Sequence, residues 1–262
     1  MPDINEENRR KSDGGRTAKT EFGFRRVIES EKDSLVHQVF SSVSSRYDLM
    51  NDLMSFGAHR LWKRLAIAYG GIRPNSSVLD VAGGTGDISL AVARKLGAEG
   101  RIVLTDINGS MLKLGQDRML DHGFVGRLQC VQTDAENLAF ADDCFDCVII
   151  SFGLRNVTRI DAALRSMYRV TRIGGRMLIL EFSKPVIPLL ERLYDRYSFS
   201  VIPRLGEAVA GDRASYQYLV ESIRRHPDQD TLASMIVSAG FERVEYHNLT
   251  GGIVALHIGW KV

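Results

Sequence analysis

From Ser77 onward the chain alternates between two hydrophobic patterns. Short runs such as "RIVLTD" and "DCVIIS" are β-branched and almost continuously apolar, the character of strands buried on both faces. Between them, apolar residues recur at three- and four-residue spacing, the period of a half-buried helix. The runs predict strands at Val78–Ala82, Ile102–Asp106, Leu128–Gln132, Cys147–Ser151 and Met177–Glu181. The periodic stretches predict helices near Ile88–Leu96, Met111–His122 and Ile160–Thr171. In the last of these, Ile160, Leu164, Met167 and Val170 share a face and Gly174 is expected as the C-terminal stop. Such alternation implies an α/β fold, a parallel sheet covered by helices. The end of the chain predicts one more helix and two strands around Gly251-Gly252, a turn short enough for a hairpin. The last strand is therefore expected to run antiparallel to its neighbour.

Two stretches break this rhythm. Asp33–Gly70 is helical in pattern and rich in aromatic and basic residues, and the segment of about 184–227 is too long for a βα connection. The latter reads as an insertion with helices of its own. The opening "MPDINEENRRKSDGGRTAKTE" has no apolar centre and reads as a solvated, disordered polar tail. Three regions result: a tail over 1–21, a helical region over 22–75, and an α/β core over 76–262 that carries the insertion.

Composition narrows the partners. With 262 residues, 44% of them hydrophobic, the chain can bury a sizeable core. A net charge of +2 does not call for nucleic acid, although it allows a weak attraction to anionic membrane surfaces. No apolar run reaches the roughly 18 residues of a membrane span. Three cysteines, Cys130, Cys144 and Cys147, are an odd and sparse set that suits a reducing cytoplasm. Cys144 and Cys147 form a C-x-x-C, but no second pair of ligands stands nearby. A buried small residue and a turn residue are the expected reading, with no metal.

The candidate chemistry begins at "LDVAGGTGD", Leu79–Asp87. Gly83, Gly84 and Gly86 permit positive φ and close backbone approach where a strand turns into a helix. Asp106, twenty residues after Gly86 and at the end of the next strand, can accept both hydroxyls of a ribose. A dinucleotide and S-adenosylmethionine both fit so far. Charge separates them. Asp80 and Asp87 bracket the turn, where they would repel a pyrophosphate and favour an ammonium and a sulfonium. Asp87 is also explained as an acid in a first helical turn. At the end of the third strand, Asp134 can accept from an adenine amino group while the Ala135 N–H donates to a ring nitrogen; a helix cap is the equal alternative for Asp134. The fourth strand brings Ser151 and "FGLRNV" to the same edge.

Beyond these residues, whole stretches are familiar: "FGF" at Phe22–Phe24, "YDLMNDLMSFGAHRLWKR" at Tyr47–Arg64, "SFGLRNV" at Ser151–Val157, "LRSMYRVTRIGGRMLILEFSKP" at Leu164–Pro185 and "ESIRRHPDQDTL" at Glu221–Leu232. In this the chain resembles the ubiquinone/menaquinone biosynthesis C-methyltransferase family, from about Phe22 to the C-terminus. The departures are small: Val81 stands where leucine is also common, and the N-terminal tail is longer than usual. The resemblance implies a class I methyltransferase fold with a seven-stranded sheet, and S-adenosylmethionine as methyl donor. It implies a polyprenylated quinol as acceptor, either demethylmenaquinol or 2-polyprenyl-6-methoxy-1,4-benzoquinol. Matched by motif, its cofactor contacts fall on Thr85, Asp106, Asp134, Ala135 and Ser151, beside Gly84 and Gly86 of the loop. It also makes Arg155 and Asn156 the catalytic candidates and admits contacts with other quinone-biosynthesis enzymes, a homodimer, and a cytoplasmic protein peripheral to the inner membrane.

Arginine stays protonated, so Arg155 suits stabilising a phenolate or orienting a water better than taking a proton. An ion pair with a nearby acid is its weaker alternative. His59, with Tyr47 and Asp48 close in sequence, is a lesser candidate, more simply read as packing. Phe40, Leu49, Met50, Leu53, Met54, Phe56 and Trp62, with the aliphatic and aromatic residues of the insertion, suit an apolar tunnel resting on a membrane. Two other functions compete: a nicotinamide-dependent oxidoreductase on the same glycine turn, and a non-catalytic cofactor-binding subunit of a quinone-making assembly.

Overall fold

Five apolar runs form five adjacent strands in the structure, a computed structural model that describes residues 18–43, 51–52, 54–55, 57–124 and 128–262. They are β3 (Ser77–Val81), β4 (Arg101–Asp106), β5 (Leu128–Gln132), β6 (Phe145–Ser151) and β7 (Thr171–Phe182), preceded by β1 (Lys19–Phe22) and β2 (Arg25–Ile28) and followed by β8 (Arg243–Leu249) and β9 (Val254–Trp260). One seven-stranded sheet has the order β5-β4-β3-β6-β7-β9-β8. The first five pair in parallel, and β9 lies antiparallel between β7 and β8. Successive side chains of a strand point to opposite faces, and both faces here are covered. Val78, Ile102, Ile149 and Leu178 pack toward Trp62, Ala66 and Val92 on one side. Leu79, Val103, Val148 and Ile179 pack toward Leu164, Met167 and Leu232 on the other. Burial on both faces is why β3, β4, β6 and the end of β7 read as continuous apolar runs, whereas the edge strand β5 is only partly buried.

The helices are α1 (Glu29–Val43), α2 (His59–Tyr69), α3 (Asp87–Ala93), α4 (Gly109–Asp121), α5 (Ile160–Val170), α6 (Pro188–Ser200), α7 (Ile202–Ala210), α8 (Arg213–Arg225) and α9 (Gln229–Ser238). Three of them, α6 to α8, fall in the stretch expected as an insertion. Leu164, Met167 and Val170 on α5 are fully buried, as their spacing predicts. The stop is not Gly174, however. Thr171 turns extended, its hydroxyl donating back to the Met167 carbonyl at 2.7 Å, and Gly174, at φ +78°, lies inside the long β7.

The start of the chain also departs from expectation. A polar tail to residue 21 and helix from 22 give way at residues 19–28 to a hairpin, Lys19 pairing Ile28 and Phe22 pairing Arg25. Gly23 at φ +59° supplies the two-residue turn. The hairpin docks on α8: the Phe24 N–H donates to Glu221 at 3.0 Å, and a Cβ at residue 23 would lie 2.3 Å from that carboxylate. Each strand has only four residues, too few for alternation to register in the sequence.

Candidate active site

The carboxyl ends of β3 to β6 open into one cavity. Ligands of open α/β sheets bind along this edge. Its wall is made by the turns that leave each strand: Ala82 and Gly84, then Asp106 to Asn108, then Asp134 to Glu136, then Phe152 and Asn156. Helix α1 lays Asp33, Val36, His37 and Phe40 across it. Ala82 and Phe152 hold left-handed backbone, at φ 49° and 57°. Such conformations cost about 1–3 kcal/mol each in a residue with a side chain, and they concentrate at functional sites.

The glycine loop is built for space as well as for φ. A Cβ on Gly83 would meet Leu104 at 2.3 Å and Asp80 at 2.7 Å, whereas Gly84 and Gly86 take φ +56° and +79°. Gly86 starts α3. Asp106 holds the loop in place, one oxygen accepting from the Gly84 N–H at 2.9 Å and the other from the Asn108 N–H at 2.8 Å. Burial pushes its carboxyl above the ordinary range.

Asp80 is fully buried at the centre of the sheet. One carboxylate oxygen accepts from the Ser89 N–H at 3.0 Å and the Ser89 hydroxyl at 2.7 Å. The other has no protein partner among the described residues. Burial pushes this carboxyl up to about 7. An orphaned acid oxygen beneath a glycine loop suits a cationic group, as S-adenosylmethionine carries. The raised value also fixes a pH dependence. Between the ordinary 3.8 and about 7 the unfolded chain is ionised while folded Asp80 holds its proton. Stability therefore falls as pH rises through that window, by about 4 kcal/mol, and is level above it. Asp80→Asn removes the effect, so the ligand-free variant is expected to melt higher than the parent near pH 7.5 and with it near pH 4. Thermal melts at both pH values check this; a difference independent of pH would contradict it.

Asp87 does not act as expected. Lys63 (2.7 Å) and Arg118 (2.5 Å) both pair with it. Burial alone would raise its carboxyl, but these cations hold it below the ordinary range. It ties α2 and α4 to the start of α3, and the charge it was expected to show a ligand is already balanced.

Of the other expected residues, Asp134, Ala135 and Asn156 line the cavity. Asp134 is a cap as well: its Oδ1 accepts from the Glu136 N–H at 2.9 Å at the start of a short 3-10 turn. Thr85, Gly86, Ser151 and Arg155 are not among the lining residues. Ser151 ends β6 with a buried hydroxyl that has no partner among the described residues. His59 is buried away from the cavity wall, bonded to Asp52 at 2.9 Å, and burial lowers its imidazole. Tyr47, Asp48, Leu49, Met50, Leu53 and Phe56 lie outside the described residues.

Arg155 makes the ion pair that was its weaker reading. Its side chain is 3% exposed, Nη1 donates to Glu181 Oε1 at 2.9 Å and to the Phe152 carbonyl at 2.5 Å, and the Arg155 N–H donates to Glu181 Oε2. Arg155 borders a second cleft, lined also by Lys32, Tyr218 and His226, which shares Val157 and Thr158 with the first. Burial pushes the His226 imidazole down to about 4, so it is neutral at pH 7. Asn156 accepts from the Tyr218 hydroxyl at 3.1 Å. Glu181, Tyr218 and the α1 residues Asp33, Val36 and His37 escaped the sequence analysis, whereas Phe40 was expected to line an apolar tunnel. Glu181 offered a signal, an acid ending the apolar run "MLILEF". Cys144 and Cys147 are free thiols, and burial pushes Cys147 up to about 12.

A seven-stranded sheet with one antiparallel strand, a glycine loop after β3 and an acid at the end of β4 define a class I S-adenosylmethionine-dependent methyltransferase. Solved structures agree in fold. A SAM dependent methyltransferase from Aquifex aeolicus superposes with a TM-score of 0.60 at 13% identity, over 81% of this chain and 97% of its own. A putative S-adenosyl-L-methionine-dependent methyltransferase from Methanococcus maripaludis has a TM-score of 0.60 at 18% identity, over 84% and 92%. The chain belongs to the ubiE/COQ5 methyltransferase family, whose model matches residues 27–261. Among its relatives, ubiquinone/menaquinone biosynthesis C-methyltransferases UbiE, that of Proteus mirabilis is 57% identical over 92% of this chain and 96% of its own. That of Pectobacterium atrosepticum is 58% identical over the same shares.

Proposed function

We propose that this enzyme methylates a ring carbon of a polyprenylated quinol in ubiquinone or menaquinone biosynthesis, with S-adenosylmethionine as donor. The observation that carries the proposal is the 57% identity to quinone C-methyltransferases across 92% of the chain. The cofactor supplies an electrophilic methyl group with a neutral leaving group. Asp106 would receive the ribose, Asp134 and the Ala135 N–H the adenine, and the free oxygen of Asp80 the ammonium; Gly84 lines the same cavity, and Thr85, Gly86 and Ser151, next to lining residues in the chain, are further cofactor contacts in this reading.

The ring carbon becomes nucleophilic when a quinol hydroxyl loses its proton, which an oxidised quinone cannot do. In this reading the ring lies between Asn156 and the Arg155–Glu181 pair, beside the shared residues Val157 and Thr158. Arg155 remains cationic and lowers the cost of the phenolate. The test is transfer of a labelled methyl group to a lipid-soluble acceptor with dithionite present. Labelling that persists without reductant would contradict the quinol requirement.

The acceptor's tail calls for an apolar route, and we place the enzyme at the cytoplasmic face of the inner membrane. Support comes from the rim of the insertion, where Ile187, Leu189 (67% exposed), Leu193, Phe199 and Val201 are exposed together with Phe24, which stacks on Phe199. Arg192, Arg196 and Arg204 belong to the same segment. Among the described residues no helix is long and apolar enough to cross a membrane. Binding is expected to depend on anionic lipid. Co-sedimentation with phosphatidylglycerol vesicles, reduced several-fold in Leu189→Ser with Leu193→Ser, is the expected result; equal pelleting of both proteins would overturn this surface.

A further inference from the structure

We propose that Tyr218 is a positioning residue for the acceptor: held by the N-terminal hairpin, its hydroxyl occupies the carboxamide oxygen of Asn156, so that the amide presents its NH₂ to the cavity as a donor for the ring oxygen. The proposal rests on the reading that the acceptor ring lies beside Asn156.

The chain of contacts starts outside the cavity. Phe22 of β1 is 5% exposed and stacks on the Tyr218 ring, centroids 4.1 Å apart and planes at 18°. The hairpin is fastened to the same helix at Glu221, one turn beyond Tyr218. Tyr218 is itself 5% exposed, so its hydroxyl sits in a fixed direction, 3.1 Å from Asn156 Oδ1. Burial pushes this phenol above its ordinary value, so the group keeps its proton and donates.

A carboxamide has one accepting and one donating end. With its oxygen engaged by a phenol that keeps its proton, Asn156 cannot turn that oxygen toward the cavity without leaving the phenolic proton unpaired, the phenol then only accepting from the NH₂. A quinol becoming a phenolate gains from a donor and loses from a carbonyl lone pair. Tyr218 therefore selects the amide face that stabilises the nucleophilic form, though it touches neither cofactor nor acceptor. The assignment gives the hairpin a task too: Phe22 sets the position of Tyr218.

The experiment compares the full-length parent, Tyr218→Phe, Asn156→Ala and the double variant, using S-adenosylmethionine and a dithionite-reduced acceptor. Tyr218→Phe keeps the ring that Phe22 stacks on, so S-adenosylhomocysteine binding and the melting temperature are expected to stay at parental values. Its kcat is expected to fall about tenfold, the worth of one hydrogen bond to a developing charge, with KM for S-adenosylmethionine unchanged. The acidic limb of its kcat–pH profile should move to higher pH, because the phenolate is less stabilised. The double variant should be no slower than Asn156→Ala alone, since Tyr218 acts only through that side chain. Multiplying losses, or a parental kcat and pH profile in Tyr218→Phe, would overturn the proposal and leave quinol methylation intact. An inactive parent would instead overturn the reading on which it rests.

Discussion

Glu181→Leu is expected to destabilise the enzyme by about 3–5 kcal/mol, the cost of leaving a buried guanidinium without its counter-ion. The Arg155 side chain is 3% exposed, and Glu181 meets both that side chain and the backbone N–H. For a chain of this size the loss lowers the melting temperature by roughly 10 °C. Pairing Glu181→Leu with Arg155→Met replaces both charges by apolar groups of similar length. Such replacements of buried pairs are often neutral or stabilising, so the double variant should recover most of the lost stability. It should recover none of the turnover, because Arg155 no longer offers a cation to the ring oxygen. Melting curves and initial rates on the same three proteins check both halves. Recovered turnover without either charge would remove the pair from the mechanism and leave it a structural element.

The second large effect falls on the cofactor. Asp106→Ala is expected to weaken S-adenosylhomocysteine binding by two orders of magnitude or more, from two charge-assisted hydrogen bonds of about 1.5–3 kcal/mol each. The same carboxylate anchors the Gly84 and Asn108 N–H groups, so the loop and the turn after β4 lose their shared acceptor as well. Stability should change far less than affinity, because a buried carboxyl whose ionisation is already disfavoured is removed along with its bonds. Titration calorimetry reads the difference directly. An affinity within threefold of the parent would mean that the ribose is held elsewhere.

What the sequence disclosed follows from how local each signal is. Four of the five parallel strands carry runs of apolar residues, and burial on both faces makes the pattern dense enough to read; the edge strand β5, LQCVQ, is only partly buried. Asp106 and Asp134 were legible because each comes at the end of a strand-like stretch, which places it at the carboxyl edge whatever the helices do. Glu181 ends a run in the same way, yet its meaning depends on Arg155, 26 residues away in sequence. Asp87 shows the converse. Its place beside the glycine turn suggested a charge facing the ligand, with an acid in a first helical turn as the alternative, but Lys63 and Arg118 arrive from two other helices and balance it. The hairpin's strands are too short to register, and the role of Tyr218 was invisible because Phe22 and Tyr218 stack across 195 intervening positions, which only the folded chain brings together.

Whether the methyl group is joined to a ring carbon or to an oxygen is decided by one measurement. An acceptor deuterated at the ring position to be methylated is reduced and incubated with the enzyme and S-adenosylmethionine, and the product is weighed by mass spectrometry. The account predicts gain of one methyl group with loss of the deuterium, for a demethylmenaquinol, a polyprenyl-methoxy-benzoquinol, or each in turn. A product that gains the methyl and keeps the deuterium would be methylated on oxygen, and would contradict it.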